Sequence, residues 1–316
     1  MIRYNISGAV LNSSIERASP GWLARAAKRT ATCRKRKAFD GGAPIWSEIK
    51  PVYMHLQHNK CAYCERKIEG EPYGRIEHDV EHFRPMNGVK AWPDDRIRFE
   101  RQIDYAFSTG KEWNSGYYLL AFHPQNYITA CKTCNSPLKS SYFPIAAKRR
   151  GPQSDNPARL SSEQHYLLYP LGNLDDDPEK VLNFDGILPK PLKRSGHLRR
   201  RAVVTIDFFE LDTREELLRG RAEKILELKL ALIVSESDRP PPDQALAKWT
   251  IALLQSAKSE HSNCVRSFLR LYSQDRPRAE IIFQAVLDYL ERLDHSTNLD
   301  PGAINQSPDH SQRKSE

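Results

Sequence analysis

Two C-x-x-C pairs, CAYC at Cys61 and Cys64 and CKTC at Cys131 and Cys134, constrain this chain more than any other feature. A two-residue gap lets a tight turn aim both sulfurs at one point, and two such turns supply the four thiolates of a closed, tetrahedral, structural zinc site. A fold that obeys them must bring residue 61 beside residue 134. The opening residues hold no continuous apolar run and no small-residue cleavage site. The sequence therefore predicts a cytoplasmic protein whose paired cysteines hold metal rather than form disulfides. One C-x-x-C alone is compatible with a redox motif; two of them in polar, turn-like settings favour zinc. Cys33 and Cys264 fall in helix-like stretches and read as packing residues.

With 316 residues the chain is long enough for one large or two modest domains. No apolar run approaches the ~18 residues of a membrane span. The formal charge of +8 is an N-terminal property: residues 1–60 carry eleven basic and three acidic side chains, and the remainder balances. The excess is concentrated in Arg25, Lys28, Arg29, Arg34, Lys35, Arg36 and Lys37, with further basic stretches at 132–150 and 190–201. Such a distribution is the footprint of a phosphate-backbone binder, although solvated surface alone also produces it.

Periodicity predicts a helix over 20–38 and a second through WSEIKPVYMHLQH, with Pro51 in its first turns or kinking it. Residues 75–83 alternate with a period of two and predict a strand. Residues 86–116 read as a loop-rich insertion. HYLLYP, VLNFDGILPKP and AVVTIDFF predict strands, the second with a hairpin turn at Asp185-Gly186. Beyond them, Thr213 and Glu216 form a capping-box pattern opening a helix to about Val234, and the SESDRPPPD stretch reads as a linker. Three helices follow, near 243–257, 261–273 and 278–293. From Ser296 the chain is polar and predicted to be disordered. The expected segments are a basic helical region 1–60, a zinc-knuckle core 61–150, a strand and helix extension 151–234, a helical region 235–295 and a tail 296–316.

Between and beside the knuckles stand Glu81-His82-Phe83-Arg84-Pro85, then Asn126, then Asn135 directly after Cys134, then Lys139. This order resembles the HNH nuclease family with its ββα-metal fold, in the form where four cysteines hold zinc. CAYCE, IEHDVEHFRP, the YYLLAFHPQNYITACKTCNSPLKSSYFP block and LLYPLGNLDDDPEKVLNFDG resemble the HNH proteins encoded with retrons and Septu-type anti-phage systems. The resemblance runs from about Trp46 to about Arg221. It implies an α+β fold: a zinc-stapled ββα core with N-terminal helices, a small β-containing extension and a C-terminal helical region. It also implies an endonuclease that acts beside an ATPase partner.

Under that resemblance His82 is the general base, since an imidazole with a pKa near ~6.5 suits proton removal at neutral pH. Glu81 and Asn135 would hold a divalent ion, Mg²⁺ or Mn²⁺, and Asn126 would fix the loop bearing His82. Arg84 and Lys139 are the expected phosphate contacts, and DNA the expected substrate. His78 makes an H-x-x-x-H with His82, but on a strand the two lie about 13 Å apart, which disfavours a second zinc site. His78 therefore reads as scaffold or a substrate contact, and Asp79 as a surface carboxylate. Two other functions remain open on the sequence: a non-catalytic zinc module that binds nucleic acid, and an RNA- or tRNA-cleaving toxin using the same residues. Part of 213–293 is expected to dock a partner.

Overall fold

A computed structural model describes residues 1–151 and 154–298, the side chains to 295. The polar tail beyond residue 298 lies outside the described residues. The N-terminal part is helical: α1 (Gly8–Ala18), α2 (Trp22–Arg36) and, after a 3₁₀ turn at Ile45–Ile49, α3 (Lys50–Leu56). The sequence reading did not anticipate α1, whose apolar face consists of little more than Leu11 and Ile15. Pro51 sits in the first turn of α3, where its missing N–H costs nothing.

A single turn, α4 (Gly74–Glu77), leads into β1 (His78–His82), so only the second half of the predicted strand is extended. The stretch 86–116 is more than a loop. It contains α5 (Asp95–Arg101), capped by Asp94, and a bridge between Val89 and Trp113; Val89, Trp92 and Ile97 are buried in the core. Strand β2 (Tyr127–Cys131) then pairs antiparallel with β1, placing His78 opposite Cys131 and His82 opposite Tyr127. A short π-helical turn follows at Cys134–Lys139.

The hairpin β3 (Leu182–Asp185) and β4 (Leu188–Pro191) turns at Asp185-Gly186, where Gly186 adopts a left-handed φ of 58°. Two predicted strands are absent. HYLLYP makes only an isolated bridge between His165 and Ile145. AVVTIDFF forms the last turns of α6 (Gly196–Phe208) and its C-cap Phe209, and Arg201, Ala202, Val204, Thr205, Ile206 and Phe208 of the helix are buried. The spacing 201, 204, 205, 208 is that of one helix face, and tertiary packing overrides the β-branched preference of the run.

Helix α7 (Glu215–Ser235) has Arg214 rather than Thr213 at its N-cap position, and no side chain caps it; Glu216 binds the Arg214 guanidinium instead. The predicted proline linker is short, because α8 (Pro241–Gln255) starts within it. Helices α9 (Ser262–Gln274) and α10 (Arg276–Asn298) follow, α10 extending to residue 298 where disorder was expected from Ser296. The fold is thus mixed helix and sheet, with two small antiparallel sheets among the described residues. One apolar core surrounds the cysteines, α2, α3, β1, β2 and α6; a second joins α7 to α10 around Phe184, Ile225, Leu228 and Phe268.

Candidate metal centre and active site

The four cysteines converge. The sulfurs of Cys61, Cys64, Cys131 and Cys134 all lie within 4.8 Å of one another and are buried. Cys64 and Cys131 are 3.9 Å apart, close to the ~3.8 Å edge of a tetrahedron with metal–sulfur distances of ~2.3 Å. The donor set therefore fits zinc. Local hydrogen bonds explain the aim of the first knuckle: Glu65 N donates to Cys61 O, Cys61 N to Arg66 O, and Ala62 N reaches across to Thr129 O on β2. Buried Gln57 clamps the same strand, its amide accepting from Thr129 N at 2.8 Å and donating to Thr129 O at 2.9 Å. Arg214, from the start of α7, donates to Cys134 Sγ at 3.3 Å and brings positive charge to the four-cysteine cluster. Cys33 and Cys264 are buried in α2 and α9, away from this cluster.

Strand alternation divides the remaining residues between two faces of β1. On one face lie Asp79 and Glu81. Glu81 Oε1 is 2.9 Å from the Lys139 ammonium, and both side chains are buried. Burial pushes the Glu81 carboxyl up, Lys139 opposes this, and the nearby Asp79 charge adds to the rise. Asp79 takes the Asn135 amide at 2.9 Å on one oxygen and the Lys132 ammonium at 2.5 Å on the other. The carboxylate hydrogen-bonded to Asn135 is thus Asp79, which sequence reasoning set aside, and Glu81 is ion-paired with Lys139. The period of two had already put residues 79 and 81 on one face, and this was the available signal.

The His82 ring faces the other way, at the end of the strand. Trp46 and Tyr127 meet it edge-on, with centroids 4.7 Å and 4.9 Å away. Its Nε2 lies 3.0 Å from Ala121 O. A carbonyl only accepts, so Nε2 carries the hydrogen and Nδ1 keeps a lone pair. Burial, with a contribution from Lys139, pushes the imidazole pKa down to about 4, so the ring is neutral at pH 7. Neither Trp46 nor Tyr127 stood out in the sequence, since isolated aromatics at these positions read as core.

Asn126 is fully buried and ties down the segment after His82. Its Oδ1 accepts from Arg84 N at 2.9 Å, its Nδ2 donates to Arg84 O at 3.0 Å and to Leu120 O at 3.2 Å, and its carbonyl accepts from Phe83 N at 2.8 Å. Arg84 and Lys139, the expected phosphate contacts, are instead buried. Arg84 donates to His165 Nδ1 at 3.3 Å, sits 3.5 Å from the Glu163 carboxylate and covers the Phe143 ring. Lys139 is committed to Glu81 and approaches His82 O at 3.5 Å. His78 is completely buried opposite Cys131, the placement of a scaffold residue.

No helix among the described residues is long and apolar enough to cross a membrane. No family model matches the chain, and no solved structure matches it. Among curated proteins the chain is similar to the Septu protein PtuB of Bacillus mycoides strain KBAB4, at 27% identity over 209 residues. The aligned region is 66% of this chain and 62% of that protein, less than two thirds of the relative's length.

Proposed function

We propose that this chain is a metal-dependent endonuclease of the HNH type, hydrolysing phosphodiester bonds in DNA as the effector of an anti-phage defence complex with an ATPase partner. The similarity to a Septu protein supports the defence role and the partnership. One observation carries the chemistry: a neutral imidazole with a free Nδ1, two carboxylates and a carboxamide sit on or beside one two-stranded sheet fastened to a four-cysteine cluster. The order strand, strand, short helical turn, with Asn135 directly after Cys134, supports the HNH reading.

His82 Nδ1 takes a proton from the attacking water, while Nε2–H holds the ring against Ala121 O and the two aromatic edges fix its tilt. Asn126 keeps the chain at 83–84 rigid, and so positions the ring without touching substrate. Glu81 and Asn135, with Asp79 alongside, offer the hard oxygen donors that suit Mg²⁺ or Mn²⁺. Each carboxylate already faces a lysine ammonium, so a divalent ion would compete with Lys132 and Lys139 for them. When bound, the ion would supply Lewis-acid stabilisation of the charge developing on the phosphate and leaving oxygen.

The test is His82→Ala, assayed with Mg²⁺ or Mn²⁺ on plasmid, single-stranded DNA and total RNA. Loss of DNA cleavage with zinc content and fold intact is expected; unchanged cleavage overturns the assignment. RNA-restricted cleavage would mean a ribonuclease built on the same residues. Nucleic-acid binding without any cleavage by the unaltered chain would identify a zinc-dependent binding module.

A further inference from the structure

We infer that the exposed face of α2 and the turn at its C-terminus form a docking surface for duplex DNA, its phosphates following Lys28, Lys35, Arg36 and Lys37. This rests on the proposed function for the choice of DNA, but the surface is read independently of catalysis. With Arg84 and Lys139 buried, the phosphate contacts must come from other cations.

Helix α2 has no acidic residue, and it buries Trp22, Ala26 and Cys33. At 100° per residue Lys28 and Lys35 project from the side opposite that buried stripe, and both are exposed. Three neighbouring acids are already engaged by the other arginines: Glu48 by Arg25, Asp40 by Arg29 and Asp155 by Arg34. Lys28, Lys35, Arg36 and Lys37 form no ion pair among the described residues, and all are exposed. Arg36 gives one hydrogen bond to a backbone carbonyl, Asp40 O, and keeps its charge. The run from Lys28 to Lys37 spans roughly 13 Å, about four phosphate steps along one strand of a duplex.

The same helix abuts the candidate active site. Arg29 lies 4.2 Å from the Phe122 centroid, Phe122 is 6.1 Å from Trp46, and Trp46 is 4.7 Å from the His82 ring. These contacts leave from the buried side of α2 and pack the helix beside the candidate active site, with Lys28 and Lys35 on its solvent side. A duplex suits this surface better than a single strand. Single-strand binders present aromatic platforms to the bases, and no large apolar side chain of α2 is exposed.

The experiment uses the full chain carrying His82→Ala, without added divalent ion, and a fluorescent duplex oligonucleotide titrated across roughly 50–200 mM salt. Lys28→Gln/Lys35→Gln/Lys37→Gln is compared with Lys193→Gln/Arg194→Gln/Arg199→Gln, which removes the same charge from exposed positions before and within α6. Three lost phosphate contacts should flatten the log–log slope by about 2.7, cutting the affinity lost over that salt range by about 40-fold. The control should retain the full slope. An unchanged slope in the α2 variant, equal loss in both variants, or a loss seen only with single-stranded RNA overturns the inference. Because cleavage is never read, failure here leaves the nuclease assignment standing.

Discussion

Asn135 Nδ2 lies 2.9 Å from Asp79 Oδ2, and the other oxygen of that carboxylate holds Lys132. Asp79 thereby fixes the orientation of the amide that directly follows Cys134, leaving the Asn135 side-chain oxygen as the donor available to a cation. Residues holding a metal ligand in place typically contribute 10–100-fold in affinity. We expect Asp79→Asn to raise the Mg²⁺ concentration for half-maximal cleavage by roughly tenfold or more. The Asp79–Lys132 pair is solvent-facing on the lysine side and contributes little to stability, so melting should hardly change. Equal metal dependence in variant and parent would remove Asp79 from the site.

Glu81→Gln should behave differently. It would strip the partner from a completely buried Lys139, and an unpaired buried charge costs on the order of 3–5 kcal/mol. Chemical denaturation should therefore show a large loss of stability alongside lost cleavage. Glu81→Gln combined with Lys139→Met removes both charges and should recover most of the stability but none of the cleavage. Recovery of activity in the double variant would exclude Glu81 as a donor to the ion.

Asn126→Ala removes three side-chain hydrogen bonds from a fully buried position and strands Arg84 N without an acceptor. A cost of about 2–4 kcal/mol is expected. Asn126→Asp keeps the acceptor for Arg84 N and, when protonated, has one O–H to replace the two donated bonds. It should therefore fall between Ala and the parent in stability at a pH where the new carboxyl is protonated. Equal stability of all three proteins would show that this network is unimportant.

The knuckles were the most legible part of the chain, because their geometry is local: two residues between cysteines fix a turn, and chemistry then fixes what four sulfurs do together. The Asp185-Gly186 hairpin was readable for the same reason. What was not legible depended on distant partners. Nothing near AVVTIDFF announces that Tyr166 O and Leu167 O await Arg201, yet those contacts and the buried stripe make α6 a helix. Burial of Arg84 and Lys139 likewise follows from Glu163, His165 and Glu81, which the sequence separates from them or assigned elsewhere. Arg214 looked like an ordinary residue of a helix cap, and only folding carries it to Cys134.

Arg214→Met tests that contact. A methionine fills similar space but offers neither charge nor N–H to Cys134 Sγ. Zinc should still bind at one ion per chain, with an affinity roughly 10–100-fold weaker by chelator competition. Cys131→Ser should abolish binding outright and, with it, the ~10–16 kcal/mol that a structural thiolate site lends to folding. Unaltered affinity in Arg214→Met would reduce the guanidinium to a packing role.

His165 gives the protein a pH dependence that does not involve the metal. Its Nδ1 accepts from Arg84 at 3.3 Å, and its Nε2 lies 3.1 Å from Asp175, so the neutral ring with hydrogen on Nε2 satisfies both neighbours. Burial pushes its pKa down to about 4, against the Asp175 charge, which pulls the other way. A depressed folded-state value means that the unfolded chain binds the proton more readily. The neutral ring's contribution is complete above about pH 6.5 and is progressively lost as the pH falls toward about 4. Near pH 5 the loss from this group is about 2 kcal/mol. His165→Gln, whose amide can donate to Asp175 and accept from Arg84, should be less stable than the parent at pH 7.5. It should also lose correspondingly less stability between pH 7.5 and 5, measured by urea denaturation of the zinc-loaded protein. Identical pH slopes for the two proteins would show that the imidazole is not held neutral between Arg84 and Asp175.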